Sequence, residues 1–269
     1  MRDILGYAGR RCVVVGAATG MGEATARTLV EMGAEVIALD IAPVTAPVKQ
    51  TIEVDLADPT SIAAAVAQIS GELPALFVCA AVPGAPRFDA LQTMVVNFVG
   101  VRHIIESLLP QVPKGGAVGL ISSVAGIGYQ KNLDKWKELM AIPSFEESVA
   151  WCAANPDPAN GYLGSKQALN VYAKMRASAL VEREVRLNAL LPAPTDTPML
   201  PDFHQAAGGQ ENLEKFFLAP IGRNASPEEM AEPLILMCSD ATRFISGQHW
   251  IADYGYCGEV DVGLRTGLL

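Results

Sequence analysis

Seven short β-rich runs alternate with helical segments along this chain: RCVVVG (11–16), EVIALD (35–40), QTIEVD (50–55), ALFVCA (75–80), GAVGLISS (116–123), VRLNALL (185–191) and HWIAD (249–253). Alternation of this kind calls for parallel strands joined by right-handed crossovers, hence an α/β fold with one doubly wound parallel sheet of Rossmann type. The helical segments are punctuated. Gly33 closes the first, Asp58-Pro59 opens another as N-cap and first helical residue, and Ser226-Pro227-Glu228-Glu229 spells a capping box. With no internal repeat or linker, the expectation is a single domain over 1–269. Half the residues are apolar and 18% are charged, which suits strands buried on both faces.

Composition also excludes functions. No apolar run approaches the roughly 18 residues of a membrane span, and MRDILGYAGRR is too polar for a signal peptide. The five cysteines are odd in number and scattered, so they read as core residues of a cytoplasmic protein rather than disulfide partners. The three histidines are isolated, so no metal site is expected. A net charge of −9 and a pI near 4.9 argue against nucleic acid or anionic lipid as partner.

The first strand runs into Gly16-Ala17-Ala18-Thr19-Gly20-Met21-Gly22, where the first helix opens. Glycines there permit a tight turn and let the backbone approach a pyrophosphate at a helix N-terminus. The second strand ends in Asp40, 18 residues past Gly22, close to the roughly 20 expected of an acid that binds an adenosine ribose. A carboxylate at that point accepts from both ribose hydroxyls and repels a 2′-phosphate. Ile41, Ala42 and Thr19 supply no compensating charge. The expected cofactor is therefore NAD rather than NADP.

Tyr162 and Lys166 lie four apart in the helical segment GYLGSKQALNVYAKMRASAL, on one face. A free tyrosine is only about 0.1% phenolate at neutral pH. An ammonium about 4 Å away contributes about 4 kcal/mol at an effective dielectric near 20, equivalent to about three pKa units. On this count Tyr162 is a usable general base for an alcohol and a general acid in reverse.

The loop, Asp40, Asp55, Asn97 in VNFVG, Ser122-Ser123 in ISSVAG, Tyr162-x-x-x-Lys166, Arg186-x-Asn188 and Pro192…Thr197 follow one another in an order that resembles the short-chain dehydrogenase/reductase family over nearly the whole length. The resemblance implies that Tyr162 is the acid/base, that Ser123 holds the substrate oxygen, that Lys166 also binds the nicotinamide ribose and that Asn97 holds a relay water. Adjacent strand residues point to opposite faces, so only one of the two serines should enter the site. Cofactor contacts are implied at Gly16, Thr19, Gly20, Met21 and Gly22, at Asp40, at Asp55 and Leu56, at the backbone of Ala80, and at Tyr162, Lys166, Thr195 and Thr197. Three places depart from the family's pattern: Val78-Cys79-Ala80-Ala81, Pro192-Ala193 and Asp253-Tyr254-Gly255.

Tyr162 lies 39 residues after Ser123, a wider gap than the family's usual one. The extra stretch, 129–160, carries Trp136, Phe145 and Trp151 and reads as two short amphipathic helices, with Ser144 and Glu147 spelling a capping box. An insertion here is similar to that of the bacterial 3α-hydroxysteroid dehydrogenase/carbonyl reductase and coniferyl-alcohol dehydrogenase branch. That implies an NAD-dependent interconversion of alcohol and ketone or aldehyde, on a hydrophobic hydroxysteroid, terpenoid or aromatic alcohol. The alternatives are a non-catalytic NAD-binding regulator, which would be expected to lack Tyr162 or Lys166, and an NADPH-dependent 3-ketoacyl carrier protein reductase, for which basic residues near Asp40 are missing. Residues 198–222, with Met199, Leu200, Phe203, Phe216 and Phe217 around Gly208-Gly209, suit a substrate lid. The insertion is expected to border the substrate cleft, to cover a face used for subunit contacts, or both, leaving a homodimer.

Overall fold

The computed structural model describes residues 3–266 apart from the Phe216 side chain, so the two ends of the 1–269 span and the Phe216 side chain named for the lid lie outside the described residues. All seven expected runs are strands: β1 Arg11–Val15, β2 Glu35–Asp40, β3 Gln50–Glu53, β4 Ala75–Val78, β5 Ala117–Ile121, β6 Arg186–Pro192 and β7 His249–Ala252. They form one sheet, every neighbour parallel, in the order β3-β2-β1-β4-β5-β6-β7. The order reverses between β1 and β4, and the carboxyl ends of those two strands open a crevice of the kind that takes ligands in such sheets.

The helices are α1 Gly20–Glu31, α2 Pro59–Val66, α3 Ala90–Met94, α4 Val101–Leu108, α5 Leu133–Met140, α6 Phe145–Ala154, α7 Tyr162–Ala179, α8 Leu200–Ala206, α9 Gln210–Phe217, α10 Pro227–Cys238 and α11 Tyr256–Asp261. Their ends follow the local chemistry. Asp58 accepts from Thr60 N ahead of Pro59, Ser226 and Glu229 bond reciprocally, and Gly33 takes φ +80° just past α1. Ser144 makes only half of the capping box its spacing suggests. Its Oγ accepts from Glu147 N and donates to the Glu146 carboxylate, whereas the return bond from Ser144 N to the Glu147 carboxylate is not made.

Alternate strand residues build the core on opposite faces of the sheet. Val13 and Val15 pack with Ile105 of α4 and Leu169 of α7, whereas Cys12 and Val14 pack with Leu29 of α1 and Leu234 of α10. No helix among the described residues is long and apolar enough to cross a membrane.

The 129–160 stretch forms α5 and α6 and packs on the α4–α7 side. Trp136 and Leu139 are fully buried there, and the Trp136 and Trp151 rings sit 6.3 Å apart. Arg102 of α4 ties the stretch down, donating to Leu139 O at 3.0 Å and Ser148 Oγ at 2.5 Å, with its guanidinium over the Phe98 ring. Burial pulls the Arg102 pKa below its ordinary value.

Candidate active site

Two of the three loop glycines are required by packing alone. A Cβ at Gly16 would collide with Ala80 N, and one at Gly22 with the Gly16 carbonyl. Gly20 is different. It takes φ +58°, and a Cβ on it would meet Thr197 Cγ2 at 3.1 Å across an open cleft. This division matches a loop built for a tight turn, a close helix and an approaching phosphate. The cleft has a volume of about 590 Å³, and Gly16, Thr19, Gly20, Met21, Gly22, Asp40, Asp55, Leu56, Ala80 and Thr197 all line it.

Asp40 closes the loop as well as facing the cleft. Its Oδ2 accepts from Ala18 N at 2.8 Å and its Oδ1 from Ala42 N at 2.9 Å. A carboxylate has about four acceptor sites, so one remains on each oxygen for a vicinal diol. Asp55 Oδ1 accepts from Ala57 N at 2.8 Å, and the Ala80 N–H donates to Val15 O at 3.1 Å. Nucleotide-shaped space, a glycine edge and a diol acceptor in one groove fit a dinucleotide.

A second cavity of about 190 Å³ adjoins the first, sharing Met21, Cys79, Ala81, Thr197 and Met199 with it. Ser123, Tyr162, Lys166 and Thr195 line this one. The strand geometry separates the two serines. Ser122, with the parity of the β5 residues that face α7, donates its hydroxyl to Lys166 O at 3.1 Å. Ser123 lies just past the end of β5, where its Oγ accepts from Ala125 N and its hydroxyl hydrogen-bonds the Tyr162 phenol. Tyr162 opens α7 and Lys166 follows one turn later, behind the N-cap residue Gly161, which takes φ +85°. Lys166 Nζ donates to Ile121 O at 3.2 Å and lies 5.3 Å from the centre of the Tyr162 ring.

The electrostatics run opposite to the expectation from spacing. Burial pushes the Tyr162 phenol up to about 12, and the hydrogen bond from Ser123 offsets only part of that. Burial also pulls Lys166 down to about 8. Desolvation disfavours the charged form of each group, and the reading from spacing counted only their mutual attraction. Cys79, which lines both cavities, is held up at about 12 by burial and is a neutral wall rather than a nucleophile.

Asn97 is fully buried in a π-helical stretch, Val95–Gly100, between α3 and α4. Such bulges cluster at functional sites. Its Oδ1 accepts from Val82 N at 2.7 Å and its Nδ2 donates to Val82 O at 2.9 Å, so the amide holds the segment after β4 in place. Thr195 Oγ1 donates to Ala193 O at 3.0 Å. Where the family's pattern has glycine, Tyr254 takes φ +53° and is exposed.

No residue of 129–160 lines either cavity. The insertion packs on α3, α4 and α7 and borders neither cavity. Residues of α8 and α9 do line the second cavity, namely Phe203, Leu213 and Phe217. The spacing arguments missed Phe88, Leu91, Gln92, Val95 and Val96, which line the larger cleft. Their place directly after β4, at the point of strand reversal, was the available signal.

Residues 10–134 match the family model described as short chain dehydrogenase, and residues 147–257 match that described as enoyl-(acyl carrier protein) reductase. The chain is 31% identical to a coniferyl-alcohol dehydrogenase from Pseudomonas sp. (strain HR199 / DSM 7063), covering 91% of this chain and 96% of that protein. It is 32% identical to a 3-alpha-hydroxysteroid dehydrogenase/carbonyl reductase from Comamonas testosteroni, covering 90% and 95%. Among solved structures, the 3-alpha-hydroxysteroid dehydrogenase from Pseudomonas sp. B-0831 complexed with NADH superposes with a TM-score of 0.77 at 25% identity, covering 95% of this chain and 99% of that one.

Proposed function

The chain belongs to the short-chain dehydrogenase/reductase family, and on that premise we propose that it is an NAD-dependent enzyme that interconverts an uncharged hydrophobic alcohol with its ketone or aldehyde. One observation carries this reading: Ser123 hydrogen-bonds Tyr162 inside an apolar-walled cavity beside Lys166, and that cavity opens into the cleft containing Asp40. The substrate would be a hydroxysteroid, terpenoid or aromatic alcohol. Lys166 is the one lysine among the described residues lining either cavity, and no arginine lines them. That favours NAD over NADP and a neutral substrate over a phosphate-bearing carrier.

In this reading Ser123 holds the substrate oxygen, and Tyr162 takes its proton during oxidation or returns one during reduction. A bound oxidised nicotinamide would supply the hydride acceptor for the carbinol carbon and a positive charge that favours the phenolate. Lys166 adds its own charge and binds the neighbouring ribose. Asn97 orients the segment at Val82 and supports a relay water. Gly16, Thr19, Gly20, Met21 and Gly22 would hold the pyrophosphate, and Asp40 the adenosine ribose. Asp55 and Leu56 would border the adenine. Ala80 would contribute backbone, and Thr195 and Thr197 would hold the carboxamide. Residues 198–222 would act as the lid. We also propose a cytoplasmic homodimer, since α5 and α6 cover parts of α4 and α7.

The test is NADH formation at 340 nm from NAD⁺ across a panel of benzylic, terpenoid and steroid alcohols. Turnover that requires Tyr162 supports the reading. Absence of turnover with every alcohol, in the presence of tight NAD binding, sinks it in favour of a regulator.

A further inference from the structure

The rings of Phe203 and Tyr162 meet edge to face, with centroids 4.9 Å apart and planes inclined by 68°. An enclosed cavity of roughly 150 Å³ accepts one benzene, and the half-open 190 Å³ beside Tyr162 has room for one flat ring at the phenol, with any larger skeleton projecting through its mouth. The same cavity is lined by Thr195 and Thr197, assigned above to the nicotinamide end of the cofactor. Two rings cannot share that space while Phe203 stays where it is.

The helix that carries Phe203 is lightly anchored. Leu200 is the one deeply buried side chain of α8, and Gly208 and Gly209 follow the helix with φ of +77° and +130°. The firmest tie is the residue next to Phe203. Asp202, with its side chain only 12% exposed, pairs with Arg87 at 3.1 Å. Arg87 belongs to the segment after β4, whose neighbour Phe88 lines the larger cleft. The ion pair thus joins α8 to the segment after β4.

We propose that Phe203 is a specificity-determining gate. It stands in the substrate's position against Tyr162 and is latched by Arg87–Asp202, and it restricts the enzyme to compact, uncharged one-ring alcohols over fused four-ring ones. A flat ring next to the carbinol carbon displaces the Phe203 edge with a small tilt of α8, whereas a steroid skeleton requires the latch to open fully. The proposal rests on Tyr162 being the acid/base.

The experiment compares kcat/KM for benzyl alcohol and for a four-ring hydroxysteroid, with NAD⁺, in the wild type, Phe203→Ala, Phe203→Leu and Arg87→Met. The wild type should favour benzyl alcohol at least tenfold. Phe203→Ala should shrink that ratio by about tenfold or more, mainly through the steroid KM, the scale on which apolar pockets discriminate. Phe203→Leu should shrink it less, and it keeps the test alive if the alanine variant fails to fold. Arg87→Met should relax the ratio by about two- to fivefold, as expected for a half-exposed ion pair. If neither alcohol is turned over and the wider alcohol panel is inert as well, the oxidoreductase reading itself falls; if the wider panel is turned over while benzyl alcohol is not, the gate alone falls. A wild type indifferent to size, or an unchanged ratio in both Phe203 variants, overturns the gate alone.

Discussion

Lys166 Nζ lies 5.3 Å from the centre of the Tyr162 ring, and burial moves their pKa values in opposite directions, the lysine down to about 8 and the tyrosine up to about 12. Burial thus disfavours the charge at both positions, although at pH 7 the lysine still carries its proton while the phenol is neutral. Work must be done to create a phenolate beside an ammonium, and the positive charge of an oxidised nicotinamide is the natural source.

This pair makes a prediction about stability. A lysine whose folded pKa is lowered from 10.5 to about 8 binds fewer protons folded than unfolded between those values. Its destabilising effect is complete below pH 8 and fades as pH rises toward 10.5. Lys166→Met should therefore raise stability by about 3 kcal/mol at pH 7, with the gain shrinking toward pH 10, while activity is lost. Urea unfolding of both proteins at pH 7, 9 and 10 measures this.

Tyr162→Phe should keep the fold and the binding of NAD but lower turnover by roughly 10²–10⁴. Ser123→Ala should impair turnover strongly, through loss of its bond to the phenol. Ser122→Ala should do so less, since the Ser122 hydroxyl is committed to Lys166 O. Calorimetric titration with NAD, alongside steady-state kinetics, separates binding from chemistry. Near-normal activity in Tyr162→Phe would refute the assignment.

At the other end of the cleft, NAD should bind at least about tenfold more tightly than NADP, a difference of about 1.4 kcal/mol. Asp40→Ala should narrow that gap. Because Asp40 also receives the Ala18 and Ala42 N–H groups, the same variant should lose about 1–3 kcal/mol of stability. Isothermal titration with each cofactor, paired with a denaturant midpoint, checks both halves.

Arg102 is buried and satisfied by a carbonyl and a hydroxyl of the 129–160 stretch. Arg102→Ala should cost about 3 kcal/mol or more by removing two buried charge-assisted hydrogen bonds and leaving a cavity beside Phe98. The folded fraction should keep its substrate preference, since no residue of the stretch lines a cavity. Multi-angle light scattering should find the wild type dimeric; a stable tetramer would contradict the proposed obstruction by α5 and α6.

The strands were legible because those of a covered parallel sheet are continuous apolar runs, and the caps at Asp58 and Ser226 because they are local hydrogen-bond chemistry. Asp40's place in the cleft was legible from its distance to the loop, but its bonds to Ala18 and Ala42 were not, since they depend on how the loop folds back. The direction of the Tyr162 shift was lost for a physical reason: spacing conveys the Coulomb interaction and not the burial that outweighs it. Arg87 and Asp202 are 115 residues apart, and nothing local to either marks the other. The course of α5 and α6 was undecided for the same reason, because a buried tryptophan looks alike in sequence whether it meets a substrate or a helix.

The two excursions from the sheet answer to different parts of the molecule. Residues 129–160 pack on α3, α4 and α7, and residues 198–222 reach the Tyr162 cavity. Selection for a new substrate can therefore act on the second stretch while the first stays constant. A library randomised at Met199, Phe203, Leu213 and Phe217 should yield altered preferences in variants that keep the packing of α5 and α6, which makes this fold a divided tool in which recognition can change while the inserted helices stay fixed.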